Sequence, residues 1–155
     1  MTEIVQGQKA PEFALPADGG GEVTLAAMKG RTVVLYFYPK ADTPGCTNEA
    51  KDFTALAAEF EAAGATIIGV SKDPVKKLDR FKAKYDLAVS LASDETAGVT
   101  EAYGLWVEKS MYGKTYMGIE RATVLIDGEG VIRRVWRKVS VKGHADEVLA
   151  AVQSL

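Results

Sequence analysis

Cys46 is the one cysteine in a chain of 155 residues, and its neighbours suit it to nucleophilic chemistry. It follows the apolar run Val33-Val34-Leu35-Tyr36-Phe37-Tyr38, which reads as a buried strand. Thr43 then reads as a helix N-cap and Pro44 as the first helical residue, so Cys46 falls in the first turn. Free backbone N–H groups and the positive end of the helix dipole at that place favour a thiolate over a thiol. A thiolate nucleophile also needs support for its charge and an electrophile held in position. Arg121 offers a fixed cation with forked donors, and the Thr43 hydroxyl can face the same pocket. Pro39 can shield the sulfur from water, and Glu49, on the helical face of Cys46, can hold Arg121 through a two-pronged ion pair.

The elements that must position these groups follow from the pattern along the chain. Phe13 to Leu15 and Val23 to Leu25 flank the loop Asp18-Gly19-Gly20-Gly21-Glu22 and suggest an N-terminal hairpin. The strand Thr32 to Tyr38 precedes a helix from about Pro44 to Ala63, with Phe53, Leu56, Ala57 and Phe60 at helical spacing and Gly64 as its stop. Thr66 to Val70 reads as a second buried strand. Asp73 then caps, and Pro74 opens, a helix with Leu78, Phe81 and Tyr85 on its inner face. A short strand near Val89 to Leu91 and a short helix near Ala97 to Tyr103 come next, followed by an irregular stretch from Trp106 to Gly118. Strands Ala122 to Ile126 and Val131 to Trp136 flank Asp127-Gly128-Glu129-Gly130, a hairpin signal, and an amphipathic helix starts near Gly143. This order predicts one domain over residues 1–155, an α/β thioredoxin-like fold with a central mixed sheet flanked by helices. In such a sheet, a residue just before the Ala122 strand returns beside the helix start that carries Cys46, and that residue is Arg121.

Composition narrows the function classes. Apolar residues make up 47% of the chain, enough for a packed core, and 19 basic residues nearly balance 21 acidic ones. No basic field is present to hold nucleic acid, and no apolar stretch reaches the roughly 20 residues of a membrane span. The N-terminal residues lack a secretory pattern and a lone cysteine forms no internal disulfide, so the cytoplasm is the expected location.

The residues around Cys46 also match a known pattern. Pro39-x-x-x-Thr43-x-x-Cys46 together with Arg121 resembles the active-site signature of the peroxiredoxins. The segment Tyr38 to Ala50, with Gly69-Val70-Ser71-Lys72-Asp73, Leu91-Ala92-Ser93-Asp94, Tyr112-Gly113-Lys114-Thr115-Tyr116 and Arg121 to Asp127, is similar to their bacterioferritin comigratory (PrxQ) branch. The resemblance implies a thiol peroxidase that needs no cofactor or metal and reduces hydrogen peroxide and organic hydroperoxides to water and alcohols. It also implies the roles: Cys46 as the peroxidatic cysteine, Thr43 and Arg121 as the rest of its pocket, and Pro39 as its shield. Many members of the branch hold a resolving cysteine five residues after the first, where this chain has Lys51; others hold it on the following helix, where Phe81, Lys82, Ala83 and Lys84 stand. The chain therefore resembles a one-cysteine form whose sulfenic acid is reduced by an external thiol, such as thioredoxin, glutaredoxin or glutathione. The branch includes monomers and weak homodimers.

Other readings compete at several residues. A lone cysteine without such neighbours is usually a small buried apolar residue. His144 reads as solvated or capping, and Lys72, Lys76, Lys77, Lys82 and Lys84, interleaved with Asp73, Asp79 and Asp86, read as a solvated helix face. Lys29-Gly30-Arg31-Thr32 lacks the spacing of a phosphate loop. Trp106, Tyr112 and Tyr116 fit either the pocket rim or ordinary packing. Two rival functions are a thioredoxin-like thiol–disulfide exchanger, opposed by the absence of Cys-x-x-Cys, and a non-catalytic redox sensor or holdase.

Overall fold

The computed structural model describes residues 4–155. Five strands form the central sheet: β3 (Thr32–Phe37), β4 (Ala65–Ser71), β5 (Ser90–Ser93), β8 (Ala122–Ile126) and β9 (Ile132–Trp136), in the order β5-β4-β3-β8-β9. The pairs β3/β4 and β4/β5 are parallel, whereas β3/β8 and β8/β9 are antiparallel, which makes the sheet mixed as expected. A small antiparallel pair, β1 (Ala14–Pro16) with β2 (Glu22–Thr24), forms the N-terminal hairpin.

The near-continuous apolar composition of β3 and β8 reflects burial on both faces. Val34, Tyr36 and Leu125 point into one core with α1 (Pro44–Ala55), α2 (Ala57–Ala62), α3 (Val75–Tyr85) and α5 (His144–Gln153). Val33, Leu35, Phe37, Val124 and Ile126 point into the other, where the N-terminal hairpin and α4 (Val99–Ala102) pack. The alternation is the period of two that a pleated strand imposes.

The expected long helix to Ala63 is broken at Leu56, whose φ of −103° and ψ of 8° separate α1 from α2. The apolar spacing runs through this break, so periodicity alone could not mark it. Gly64 does end α2, at a φ of +78° that a side chain would oppose. Asp73 does not cap α3; the helix begins at Val75 after Pro74. Its Oδ2 instead accepts from the Ala41 amide at 2.7 Å and from Ser71 Oγ at 2.7 Å, while Oδ1 pairs with Lys77 at 3.3 Å. The carboxylate thus ties the end of β4 to the turn that leads into α1.

The stretch Trp106 to Gly118, expected to be irregular, is a second hairpin of β6 (Trp106–Met111) and β7 (Lys114–Ile119). Tyr112 and Gly113 form its two-residue loop, both at positive φ, +53° and +77°. Asn-Gly or Asp-Gly is the usual signal for that turn, and a tyrosine in the first position conceals it.

Candidate active site

The antiparallel register of β3 and β8 brings the sequence-distant parts of the site together. Phe37, the last residue of β3, stands opposite Ala122, the first of β8. The chain leaving β3 for α1 therefore passes the chain entering β8, and Arg121 meets Cys46 although 75 residues separate them.

Thr43 occupies the N-cap position and Pro44 the first turn, as expected, with the Thr47 amide donating to the Thr43 carbonyl at 2.8 Å. The Thr43 hydroxyl does not cap. It donates to the Lys40 carbonyl at 2.7 Å, which fixes its proton away from the helix and leaves its lone pairs available. Pro39 is half-buried between β3 and the α1 turn. The turn is held from α3 as well: Asp42, at a φ of +62°, accepts from Tyr85 Oη at 2.7 Å and Lys84 Nζ at 3.0 Å.

Cys46 is 2% exposed. Arg121 Nη2 lies 3.3 Å from its sulfur, and Nη1 donates to Glu49 Oε1 at 2.7 Å. The expected two-pronged Arg121–Glu49 pair is thus corrected to a one-pronged one: the guanidinium divides its donors between carboxylate and sulfur. Glu49 Oε2 has no hydrogen-bond partner in its buried position. Burial pushes the Glu49 carboxyl up to about 7, against the lowering influence of Arg121. One cation is thereby shared by two groups that can each carry negative charge.

Gly45 was not singled out from the sequence. A Cβ there would stand 3.2 Å from Arg121 Nη2, so the absent side chain admits the guanidinium to the first turn of α1. The signal was a helix-disfavouring residue directly before the cysteine. His144, read as solvated, is 6% exposed. Its Nε2 is 2.8 Å from Thr123 Oγ1, and Phe53 and Trp136 meet its ring edge-on. Of the aromatic residues considered for the rim, Trp106 is half-buried against the Lys72 ammonium, 4.8 Å away, whereas Tyr112 is 97% exposed at the hairpin tip. Among the described residues no group of His, Cys, Asp and Glu could hold a metal ion.

Burial lowers the His144 pKa from its ordinary value, and the Arg121 and Arg134 charges add to the effect. A histidine that resists protonation when folded contributes stability present above ~6.5, the unfolded value, and lost as pH falls through the folded one. Glu49 has the opposite slope, because its raised pKa contributes stability below the ordinary carboxyl range that is lost as pH rises toward about 7. Denaturant midpoints of wild type and His144→Gln should therefore converge as pH falls from 7.5 to about 5. A constant difference between the two curves across that range would exclude His144 from the pH response.

The chain belongs to the AhpC/TSA family, whose model matches residues 6–135. Within that family it falls in the bacterioferritin comigratory (PrxQ) branch of the peroxiredoxins, with a single cysteine, and it is a thiol-dependent peroxidase. It is 52% identical over 146 residues to a putative peroxiredoxin Bcp of Coxiella burnetii, covering 94% of this chain and 97% of that protein. A structure of the Xanthomonas campestris bacterioferritin comigratory protein, studied for alkyl peroxide reduction, superposes with a TM-score of 0.87 at 49% identity. That match covers 92% of this chain and 90% of the other. A PrxQ mutant of Xylella fastidiosa superposes with a TM-score of 0.93 at 37% identity, over 99% of this chain and 98% of that one. As a member of this family the present chain acts on a peroxide with a thiol reductant, and the thioredoxin-like exchanger reading is not favoured.

Proposed function

We propose that Cys46 is the peroxidatic nucleophile, that Arg121, Thr43 and Pro39 complete its pocket, and that Glu49 holds Arg121 in place. The observation that carries this reading is the divided Arg121 fork, with one arm on Glu49 and the other on Cys46 Sγ. The thiolate attacks one peroxide oxygen; the S–O bond forms as the O–O bond breaks. The sulfur loses two electrons to the peroxide, and the departing alkoxide or hydroxide takes up a proton to leave as alcohol or water. Arg121 Nη2, already beside the sulfur, donates to the oxygens on which charge develops. The Thr43 hydroxyl, its proton committed to Lys40, accepts from the peroxide O–H and orients it. Pro39 keeps water from the sulfur. Both hydrogen peroxide and organic hydroperoxides fit this scheme, and the alkyl peroxide activity studied in the Xanthomonas campestris relative supports the second.

The sulfenic acid has no second cysteine to meet in this chain. Cys46 and Lys51 both lie in α1, and five helical residues rise ~7.5 Å, more than a disulfide's usual Cα span. An external thiolate therefore attacks the sulfenic sulfur, forming a mixed disulfide as hydroxide leaves and is protonated to water. A second thiolate attacks the external sulfur of that mixed disulfide and releases Cys46. Thioredoxin, glutaredoxin and glutathione are the reductants proposed. Both cores share the central sheet, which supports a single domain over residues 1–155, acting as a monomer or weak homodimer. A cysteine that must return to the thiol in each cycle suits the reducing cytoplasm. Among the described residues no helix is long and apolar enough to cross a membrane.

Mass spectrometry after one equivalent of peroxide should show one added oxygen on Cys46, captured by a small thiol as a mixed disulfide and driven to sulfinic acid by excess peroxide. Repeated peroxide consumption with excess thiol separates the enzyme from a sensor that oxidises once. A free Cys46 thiol under excess peroxide would end the assignment.

A further inference from the structure

The scheme above uses the tip of Arg121 and leaves open what holds its main chain. Glu120, the residue before it, is 8% exposed. Its carboxylate accepts from a second arginine, with Arg137 Nε 2.6 Å from Oε2 and Nη2 3.0 Å from Oε1, and from the Lys138 amide at 3.1 Å. Its own amide donates to the Leu105 carbonyl at 2.8 Å. The Val139 amide in turn donates to the Arg121 carbonyl at 3.0 Å. Residues 137–139, which follow β9, thus carry the β8/β9 pairing past its terminal register pair, Thr123 with Trp136, to the two residues that precede β8.

This grip has a backbone cost. Lys138 lies at a φ of +48°, in the left-handed region that a side chain opposes. The chain accepts that strain where two successive amides, those of Lys138 and Val139, bond to Glu120 and Arg121. A buried carboxylate is costly without charged donors, and the Arg137 fork meets this one in the geometry that suits it. At the other end, a long flexible side chain separates the Arg121 main chain from its guanidinium. Glu49 holds Nη1 at 2.7 Å, but one point of attachment leaves the plane free to pivot about it. The aim of Nη2 at Cys46 Sγ, 3.3 Å away, therefore depends on where the main chain starts. Room for error is small, since a Cβ at Gly45 would stand 3.2 Å from Nη2.

We propose that Glu120 and Arg137 are positioning residues of the peroxidase reaction: their fork fixes the main chain at Arg121 and so keeps its guanidinium aimed at Cys46 while Glu49 holds the other arm. The proposal rests on Arg121 acting at the Cys46 sulfur. Both residues act through Arg121, and the bonds made and broken are those of the scheme above. Peroxide reduction is sensitive to such aim because the donor must meet an oxygen whose charge appears only as the O–O bond breaks.

The test compares two reactions of the same sulfur, with rates expressed per thiolate: stopped-flow oxidation by hydrogen peroxide, and alkylation by iodoacetamide, which has no departing oxygen to stabilise. Arg137→Met removes the fork and should slow oxidation by about tenfold, with alkylation within about twofold of wild type. A general loosening of the site would instead speed alkylation of this thiol, which is 2% exposed. Glu120→Gln probes the same fork from its other partner, should the methionine variant fail to fold, and keeps an oxygen for the Lys138 amide. Arg137→Lys restores the charge without the fork and should recover only part of the rate. In an Arg121→Gln protein there is no guanidinium to aim, so adding Arg137→Met should change the oxidation rate no further. Wild-type oxidation rates in both Arg137→Met and Glu120→Gln, faster alkylation, or an equal loss on the Arg121→Gln background would each overturn the proposal. An Arg121→Gln protein as fast as wild type would instead overturn the reading of Arg121 on which it rests.

Discussion

Arg121→Lys should lower the second-order rate of peroxide reduction by about 10²–10³ while leaving the chain folded. The charge survives this substitution, but the geometry does not. Arg121 places one nitrogen 2.7 Å from Glu49 Oε1 and another 3.3 Å from Cys46 Sγ, with a planar fork whose two arms cannot move independently. An ammonium is a single point of charge on a flexible stem and is more strongly hydrated. It will settle on the carboxylate or near the sulfur, and in neither case does it keep aimed donors at both. Glu49 is buried and its second oxygen has no partner, so the carboxylate competes strongly for whatever cation remains. Stopped-flow oxidation of the reduced protein measures the effect directly, with circular dichroism confirming the fold. A rate within threefold of wild type would remove the fork from the mechanism and leave Arg121 as a source of charge alone.

The same contrast between charge and geometry explains what could be read from the sequence. The approach of Arg121 to the helix start that carries Thr43 and Cys46 was legible because residue type and local spacing carried it: a helix start after an apolar strand, and a cation placed before the Ala122 strand. How Arg121 divides its donors was not legible, since it depends on the β3/β8 register and on the missing side chain at Gly45. The Thr43 hydroxyl failed as a cap because the turn presents the Lys40 carbonyl to it at 2.7 Å. Asp73 was read as a cap from its place before Pro74, but three partners distributed over Ala41, Ser71 and Lys77 claim its carboxylate. His144 shows the same limit: nothing near it in sequence reveals that Thr123, Phe53 and Trp136 close around it. For the fold, the central strands and main helices followed from apolar periodicity. The β6–β7 hairpin did not, because its strands are largely exposed and carry little alternation, and its turn lacks the usual residues. The part of the fold hardest to read was thus the part with the weakest hydrophobic pattern.

Gly69→Ala should be the most destabilising single-methyl addition in the central sheet, at about 2–3 kcal/mol. Gly69 pairs with Tyr36 in the parallel register of β3 and β4, and the tyrosine ring lies directly over it. A Cβ at position 69 would stand 2.6 Å from Tyr36 Cζ, 2.7 Å from Oη and 2.9 Å from Cε1, all inside van der Waals contact. The ring has nowhere to go: it is fully buried, stacked on Phe53 at 4.8 Å and tilted against Tyr38 at 5.6 Å. An isolated glycine inside a strand commonly marks such a close approach. Relief must therefore come from displacement of Phe53, and Phe53 belongs to α1, the helix that carries Cys46. The substitution should consequently slow peroxide reduction as well as lower the denaturant midpoint, although residue 69 touches no reacting atom. Tyr36→Leu shortens the opposing side chain, so Gly69→Ala with Tyr36→Leu should be more stable than the sum of the two single changes allows. Additive losses, or a Gly69→Ala protein as stable as wild type, would show that the ring is free to move and that α1 is not held through it.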